Sequence, residues 1–387
     1  MHERPVVLFA GGGSGGHLYP ALALCDALAR LRPDVRPVFV GSRHGVEARV
    51  LPQRGLEHIL LPVRGFHRGR VLENAGFLSA LVVSLDQVAG AFHSLRPELV
   101  VLTGGYASGP AGVMAVLRRV PLAVQEQNAV PGITARVLSR WSKQVHVAFP
   151  EAVRHFPAGV AEIARVTGNP ISPPARVDGE AVRAALGLDP NRRVVIVVGG
   201  SQGSAALNAL VTEAVRGTVE ASGAPPADWQ LLWATGPNHL KSVVSAFEQV
   251  GGTPSWVRLV GYIDDMPSAL AVADLALSRA GAMATSEFLA WGLPAVLVPL
   301  PTSAAGHQEQ NAKALSAAGA AVHMPQHGLT AASLWRELVT LLGDSSRLEA
   351  LSAAALERSR PDAAKEIAEH LADLLPAPAA HGEGGVR

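Results

Sequence analysis

With 387 residues, 48% of them hydrophobic, the chain is predicted to be globular and long enough for two domains. Its 33 Lys and Arg residues balance 32 Asp and Glu residues, which excludes the basic excess typical of nucleic-acid-binding proteins. The single cysteine, Cys25, excludes a disulfide framework and a thiolate metal site, and the 14 histidines show no metal-ligand spacing. The N-terminal apolar run is too short for a signal peptide, and no continuous apolar stretch reaches membrane-span length. We therefore expect a soluble cytoplasmic protein.

Strand and helix patterns alternate from the N-terminus. An apolar strand at Pro5–Ala10 leads into the glycine-rich turn 11–17 and then a helix at Tyr19–Leu31. A second glycine-rich turn lies at 103–110. The remaining signals before residue 150 are Pro37–Gly41, Val46–Gln53, His58–Leu61, Asn74–Leu95, Leu99–Leu102, Pro121–Gln125, Ile133–Ser139 and Gln144–Ala148. This alternation predicts an α/β fold with a doubly wound parallel sheet.

The same order restarts in the second half of the chain. Residues 168–179 are rich in proline and glycine and are predicted to be a linker. A strand at Arg193–Val198, a third glycine turn at 199–204 and a helix at Ala205–Glu220 follow. We predict two Rossmann-like domains facing each other across a cleft, at 1–167 and 180–375. Residues 330–375 are predicted to be helical and 376–387 to form a flexible tail.

The stretch 275–311 carries the strongest functional signal. A strand at Asp274–Leu277 breaks at 278–281 and is followed by a helix at Ala282–Trp291 and a strand at Ala295–Pro299. Backbone N–H groups and the dipole at the start of that helix favour an anion. Glu287 is placed to accept hydrogen bonds from a sugar diol, and the following junction offers neutral donors and acceptors from His307, Gln308 and Asn311. Together these features indicate a nucleotide-sugar pocket.

Rival nucleotide sites fit less well. A dinucleotide-binding domain places an acid at the end of its second strand, about 20 residues beyond the glycine loop, to hold the ribose. That position reads Gly41-Ser42-Arg43 here, which disfavours NAD, although Arg43 alone does not exclude NADP. No P-loop and no DxD motif occurs; the adjacent Asp264 and Asp265 are predicted to cap the next helix. The sequence implies neither a metal nor a cofactor.

Seven ordered motifs resemble the MurG family, the membrane-associated N-acetylglucosaminyltransferases of peptidoglycan synthesis. The motifs are GGGSGGHLYPALAL at 11–24, GGYASGP at 104–110, EQN at 126–128, GNP at 168–170, GGSQGS at 199–204, GYIDDMP at 261–267 and the 275–311 block. The resemblance covers nearly the whole chain and implies a GT-B fold, with the acceptor on the N-terminal half and UDP-N-acetylglucosamine mainly on the C-terminal half. It implies an inverting hexosyltransferase acting on the 4-hydroxyl of the N-acetylmuramoyl unit of lipid I, the undecaprenyl-diphosphate-linked muramoyl-pentapeptide. The products are lipid II and UDP, and the protein is expected to lie peripherally on the cytoplasmic face of the membrane.

The resemblance also assigns donor-binding residues. It places the first loop beside the donor and acceptor phosphates, an asparagine on the donor sugar, a serine near the diphosphate and a backbone position on uracil. It places the 282–287 segment on phosphate and ribose, and a glutamine on the sugar hydroxyls. The matching residues are Ser14, Gly15, Gly16, Asn128, Ser201, Ile263, Ala282, Met283, Glu287 and Gln308.

One position departs from the family pattern. The family has an arginine just after the GNP proline that contacts the donor, whereas this chain has Ser172 there. Either another cation such as Arg176 or Arg279 compensates, or backbone groups alone hold the phosphate.

His17 is the first candidate for the catalytic base, because it ends the first loop and a histidine titrates in the required range. Capping of the helix or binding of the acceptor phosphate are alternative roles for His17. Glu126 is a second, weaker candidate, since a carboxylate beside a strand end is more often structural. His17, Gly104, Gly105 and Tyr106 are predicted to line the acceptor site, although Tyr106 is equally consistent with packing on its neighbours.

A contact with an anionic membrane surface is predicted for 64–85. Basic residues precede apolar residues there, which suits an anionic lipid surface. These residues are Arg64, His67, Arg68 and Arg70, followed by Phe77, Leu78, Leu81, Val82 and Leu85. The alternative is that the apolar stripe is the core face of a long helix.

Three other functions remain open from the sequence. A UDP-N-acetylglucosamine 2-epimerase would share the fold and the donor but would need no acceptor. A transferase with another lipid acceptor, such as a diacylglycerol lipid, would share the donor half. A non-catalytic nucleotide-sugar binding subunit is disfavoured because both full domains lie on one chain.

Overall fold

The computed structural model describes residues 4–65, 76–222 and 228–378. The chain divides into two units by its internal contacts. The first comprises Met1–Ile171 together with Asp362–Arg387, and the second comprises Ser172–Pro361.

The first unit is built on a parallel sheet of seven strands within the described ranges, in the order β3-β2-β1-β4-β5-β6-β7. Its central strands are apolar and buried along their length, as expected for strands covered on both faces. The strands are β1 Val6–Gly11, β2 Arg36–Ser42, β3 His58–Leu61, β4 Leu99–Gly104, β5 Leu122–Glu126, β6 Gln144–Val147 and β7 Ala164–Val166.

The second unit repeats this plan with six parallel strands among the residues described, in the order β10-β9-β8-β11-β12-β13. The strands are β8 Arg193–Val198, β9 Trp229–Ala234, β10 Val257–Val260, β11 Leu275–Ser278, β12 Ala295–Leu297 and β13 Val322–His323. Both sheets confirm the predicted doubly wound α/β architecture.

Helices connect the strands. In chain order they are α1 Gly15–Leu31, α2 Glu47–Gln53, α3 Phe77–Leu95, α4 Ser108–Arg118, α5 Ile133–Leu138, α6 Ala158–Ala161, α7 Gly179–Leu186, α8 Ala205–Ser222, α9 Leu240–Glu248, α10 Met266–Ala271, α11 Ala282–Ala290, α12 His307–Ala317, α13 Ala331–Gly343, α14 Ser345–Arg358 and α15 Ala363–Ala372. Short 3₁₀ helices lie at Ser139–Trp141, Pro150–His155 and Ala304–Gly306. Helix α1 begins at Gly15, before the predicted Tyr19, so Gly15, Gly16 and His17 belong to its first turn.

Helix α15 differs from the predicted domain bounds. The prediction assigned it to the second domain, but it packs against α1 and joins the core of the first unit. Its buried residues Ile367, Ala368 and Leu371 lie in one apolar cluster with strand β1. The Gln144 amide also donates a hydrogen bond to the backbone oxygen of His370 at 2.6 Å. The amphipathic pattern of α15 predicts a packed helix but does not say which sheet it covers.

Helix α3 has the length and composition of a membrane-crossing helix, and no other helix in the described part of the chain does. Most of it is not buried in the protein: Leu78 is 73% exposed and Val82 is 64% exposed. The inner face carries the buried residues Ser84, Val88 and Phe92. The predicted basic residues His67, Arg68 and Arg70 lie outside the described residues, whereas Arg64 is described and exposed.

Candidate functional site

The turns that carry the predicted motifs follow the strands at which each sheet reverses its order. In the first unit glycine-rich turns follow β1 and β4, which pair with each other. In the second unit a glycine-rich turn follows β8, and the turn 278–281 follows β11, which pairs with β8. Ligands of doubly wound folds bind at the carboxyl ends of the strands beside this point. The topology therefore gathers the predicted site residues of each unit at one edge of its sheet.

The first turn presents a polar surface. Ser14 and Gly16 are exposed, and no side chain caps the start of α1. The N–H of Gly13, however, donates to the Glu47 Oε1 atom at 2.7 Å. One amide of this loop is thus satisfied within the protein.

The ring of His17 is held from one side. Its Nδ1 atom lies 3.0 Å from the Thr103 carbonyl oxygen and 3.1 Å from Gln127 Oε1. Both partners accept hydrogen bonds, so Nδ1 carries the proton and the neutral ring keeps its lone pair on Nε2. The half-buried His17 therefore has Nε2 as the nitrogen that can accept a proton.

A buried amide network fixes the partner of that histidine. The Gln127 Nε2 group donates to the Thr103 carbonyl oxygen at 2.8 Å, which turns Gln127 Oε1 towards His17. Behind it, Asn169 Nδ2 donates to the Gln127 carbonyl at 3.2 Å, and Gln125 Nε2 donates to Asn169 Oδ1 at 3.1 Å. The EQN and GNP motifs are visible in the sequence, but the supporting roles of these three side chains were not predicted from them.

The predicted acceptor residues form the wall beside His17. Gly104 and Gly105 have φ angles of 95° and 76°, and a Cβ on Gly104 would lie 2.8 Å from His17 Nδ1. A Cβ on Gly105 would overlap the Gly12 carbonyl oxygen. The Tyr106 ring lies against Gly13, where a Cβ would come within 2.6 Å of it. These positions require glycine for backbone conformation and for close approach.

The Glu126 carboxylate braces its own loop. Oε1 accepts from the Asn128 N–H at 3.0 Å and from Asn128 Nδ2 at 3.1 Å, and Oε2 accepts from the Gly132 N–H at 3.0 Å. This arrangement favours the structural role for Glu126 over the weaker prediction of a base. It also fixes the buried Asn128, the predicted donor contact.

In the second unit, helix α11 begins at the N-cap Gly281, and none of the described side chains caps it. The dipole at this helix start favours an anion. Glu287 lies further along the same helix, and burial raises the pKa of its carboxyl from 4.5 to about 7. The start of α11 and the Glu287 carboxylate thus lie on one helix.

Arg279 has a different environment from the exposed Arg176. Its side chain is buried, Nε and Nη2 donate to Ser204 Oγ at 3.0 and 2.7 Å, and Nη1 donates to the carbonyls of Val298 and Pro299. Burial lowers the pKa of this guanidinium. Arg176 and Arg279 are the two cations that could replace the missing family arginine, and among the residues described only Arg279 of these two is bonded to the backbone at the end of a strand. Arg176 and Ser172 are both exposed.

The remaining predicted donor residues lie around these strand ends. Ser201 is exposed in the turn after β8, and the buried Ile263 follows β10. The Asp265 carboxylate accepts from the Ser268 N–H at 3.2 Å at the start of α10, which confirms its predicted capping role.

Gln308 Oε1 accepts from the Leu300 N–H at 3.0 Å, so the Nε2 group of Gln308 is the part of this amide that could donate to a sugar hydroxyl. Within the described ranges no group of three His, Cys, Asp or Glu side chains forms a metal-holding cluster.

Comparisons with known proteins match both units. The model of the glycosyltransferase family 28 N-terminal domain matches residues 7–147, and that of the family 28 C-terminal domain matches residues 194–367. A UDP-N-acetylglucosamine--N-acetylmuramyl-(pentapeptide) pyrophosphoryl-undecaprenol N-acetylglucosamine transferase from Salinibacter ruber is 41% identical, over 96% of this chain and 97% of the relative. A crystal structure of Acinetobacter baumannii MurG superposes with a TM-score of 0.75 at 25% identity, covering 96% of this chain and 99% of that one.

A further structure bears on the epimerase alternative. A putative UDP-N-acetylglucosamine 2-epimerase from Listeria monocytogenes superposes with a TM-score of 0.65 at 14% identity, over 95% of each chain. This likeness concerns the fold alone. The comparisons confirm the GT-B fold class expected from the sequence.

Proposed function

The chain belongs to glycosyltransferase family 28, and from this premise we propose that it transfers N-acetylglucosamine from UDP-N-acetylglucosamine to an undecaprenyl-diphosphate-linked muramoyl-pentapeptide in peptidoglycan synthesis. The observation that carries this proposal is the 41% identity to the Salinibacter ruber transferase, because it extends over 96% of the chain. Both the donor and the acceptor motifs fall within that length. The 2-epimerase alternative has support from fold likeness alone.

His17 is the proposed base of the transfer. The oxygen of the muramoyl 4-hydroxyl attacks C1 of the donor sugar while the bond from C1 to the β-phosphate oxygen breaks and UDP leaves. The hydroxyl proton passes to Nε2 of His17, because Nδ1 is already protonated and donates to Thr103 and Gln127. A single displacement of this kind inverts the configuration at C1.

The donor is held in this proposal by the second unit. The dipole at the start of α11, which none of the described side chains caps, stabilises the negative charge that develops on the leaving diphosphate. Glu287 accepts hydrogen bonds from the ribose hydroxyls, and Gln308 Nε2 donates to a sugar hydroxyl. Binding of ribose requires the ionised Glu287 carboxylate, although its pKa in the free protein is about 7.

We further propose that the first unit binds an anionic membrane surface and places the protein on the cytoplasmic face of the membrane. Helix α4 packs against α3 and also against α5, and all three expose large apolar side chains. Exposed arginines and one lysine flank α4 and α5, as a surface that meets anionic lipid requires. The apolar residues are Leu78, Val82, Val83, Val113, Leu117, Ile133, Val137 and Trp141, and the cations are Arg118, Arg119, Arg136, Arg140 and Lys143.

The reaction is tested by UDP release from UDP-N-acetylglucosamine with and without a soluble analogue of the lipid acceptor. The proposal expects release that depends on the acceptor, together with a β-linked disaccharide product. Donor turnover without acceptor would contradict it and favour an epimerase or a hydrolase.

The membrane contact is tested by co-sedimentation with vesicles that contain anionic phospholipid. Leu78→Glu combined with Val82→Glu should reduce vesicle binding, because two carboxylates replace exposed apolar groups on α3. Val339→Glu is the matched control, since Val339 is 47% exposed on α13 of the second unit. Equal vesicle binding by the double variant and the control would rule out this surface.

A further inference from the structure

Glu47 is a fully buried carboxylate that the reaction proposed above does not use. It is the first residue of α2, and its side chain has 0% exposure. Oε1 accepts two backbone hydrogen bonds, from Gly13 and from Ser42, each at 2.7 Å. Oε2 is buried and has no hydrogen-bond partner within the described ranges. No ion pair of Glu47 occurs among the residues that the structure describes.

Three glycines make room for this carboxylate. A Cβ at Gly12, Gly41 or Gly45 would overlap atoms of the Glu47 side chain. These residues come from the first loop, from the end of β2 and from the turn before α2, so three segments close around one charged group. Burial of a carboxylate with a single satisfied oxygen is costly, and this cost argues for a role beyond packing.

The carboxylate occupies the place of an external anion. A backbone N–H in a glycine-rich turn after a strand ordinarily faces a bound phosphate. Here the N–H of Gly13 donates its hydrogen bond to Glu47 Oε1, and the same oxygen accepts a hydrogen bond from the N–H of Ser42 at the end of the second strand. In a dinucleotide-binding domain the acidic residue near this strand end accepts a hydrogen bond from a ribose hydroxyl. Glu47 instead accepts a hydrogen bond from the N–H of Gly13 in the first loop.

A continuous chain of contacts leads from Glu47 to His17. Glu47 holds Gly13, and the neighbouring Gly12 donates its N–H to the Gly104 carbonyl oxygen at 3.3 Å. Gly104 in turn lies so close to the His17 ring that a Cβ there would be 2.8 Å from Nδ1. The position of the first loop therefore determines the space in which the His17 ring sits.

We infer that Glu47 is a positioning residue for His17, acting as an internal anion that fixes the first glycine loop. This inference rests on the proposed function, since it assigns a role in the transfer reaction. The Gly13 N–H is consequently not a donor to the substrate diphosphates. The Gly13 amide holds the loop that orients the base.

The test compares Glu47→Ala and Glu47→Gln with Glu57→Ala, which removes an exposed carboxylate of the same unit that pairs with Arg36. For Glu47→Ala we expect kcat to fall about ten- to a hundredfold, as for a misplaced catalytic group, while the KM for UDP-N-acetylglucosamine stays unchanged. Glu47→Gln keeps one oxygen acceptor and should lose less activity. Glu57→Ala should retain wild-type kcat.

Chemical rescue separates positioning from general structural damage. Excess formate can enter the space left in Glu47→Ala and accept the two N–H groups, so it should restore part of kcat in that variant. It should not restore activity in Glu47→Gln, whose side chain still fills the space. Unchanged kcat in Glu47→Ala, or a loss that formate does not reverse, would overturn the inference.

Hydrogen exchange distinguishes failure of this inference from failure of the proposed function. Exchange in the 11–17 segment should accelerate in Glu47→Ala and slow again with formate, whatever substrate the enzyme uses. If the wild-type protein shows no acceptor-dependent UDP release but this exchange pattern appears, the proposed reaction is wrong and the anchoring of the loop stands. Wild-type exchange in Glu47→Ala would overturn the anchoring itself.

Discussion

The turns after β1 and after β11 both lead from a buried strand into a helix, but the side chains around their backbone amides differ. In the first unit Glu47 takes the N–H of Gly13, and the turn directs the His17 ring. In the second unit none of the described side chains caps α11, and the dipole at its start favours an anion. A turn between a buried strand and a helix therefore indicates a place in the fold, and the side chains around the turn decide what chemistry it can support.

The carboxylates associated with the two turns, Glu47 and Glu287, also have different environments. Glu47 accepts two backbone N–H groups on one oxygen, which satisfies part of its charge inside the protein. Glu287 is kept largely from water, and its pKa rises to about 7 because burial penalises the ionised form. Hydrogen bonds from a ligand would stabilise the ionised form of the buried Glu287 carboxylate. Glu47 Oε1 already accepts two hydrogen bonds from the protein backbone.

The largest expected effect comes from removing His17, the proposed base. His17→Ala should lower kcat about 10²- to 10⁴-fold, the usual contribution of general base catalysis. The affinity for UDP, measured by calorimetry, should stay at the wild-type value because the proposed contacts of α11 and Glu287 with UDP lie in the second unit. His44→Ala, an exposed histidine of the same unit, is the control. A kcat for His17→Ala close to that of the control would contradict the proposal that His17 is the base.

A backbone change tests the wall beside that base. Gly105→Ala should lower the free energy of unfolding by about 3 kcal/mol, because φ is 76° and the new Cβ would overlap the Gly12 carbonyl. Gly109→Ala is the matched control, since a Cβ there meets nothing within 4 Å. Chemical denaturation of both variants measures the difference. Equal stability would mean that the turn relaxes without cost.

Much of this arrangement was predictable from the sequence. Apolar runs that end in glycine mark the strands and turns, and the helix after β11 with Glu287 on it appears where the pattern places it. His17 is recognisable because it ends a glycine loop. These features depend on short-range order, in which strand, turn and helix signals follow one another along the chain.

The residues that support the site were not predictable in the same way. Thr103 and Gln127 reach His17 across 86 and 110 residues of sequence, because the sheet order sets β4 beside β1. Glu47 lies beyond the end of β2, and its acidic side chain gives no sign that it folds back under the first loop. Helix α15 carries an amphipathic pattern that fits either sheet. Long-range contacts of this kind depend on the tertiary fold rather than on local propensity.

The pH dependence of stability tests the second turn. The pKa of Glu287 is raised from 4.5 to about 7 in the folded protein, so the unfolded chain releases this proton at lower pH than the folded protein does. Its contribution therefore lowers the free energy of unfolding as the pH rises from about 4.5 to about 7. Glu287→Gln should remove this loss and gain on the order of 2 kcal/mol over the wild type at about pH 8, with little gain at about pH 4.

Denaturant titrations at both pH values measure this effect, with the exposed Glu349→Gln on α14 as control. Because ribose binding requires the ionised carboxylate, UDP binding near neutral pH should also release protons, which calorimetry in buffers of different ionisation enthalpy detects. Equal stability gains for Glu287→Gln at both pH values would contradict the raised pKa. Proton-neutral UDP binding would contradict the ribose contact.

The smallest effect is expected from the amide that orients His17. Gln127→Leu removes one of the two acceptors at Nδ1 but leaves the Thr103 carbonyl, so the proton stays on Nδ1 while the ring gains freedom. We expect kcat to fall about tenfold, which corresponds to about 1.4 kcal/mol in the barrier. Gln144→Leu is the control, because it also removes a buried amide of the first unit, one that donates to His370. If both variants lose stability alike while only Gln127→Leu loses kcat, the Gln127 amide acts on His17. If kcat is the same in both variants, the role of Gln127 is structural only.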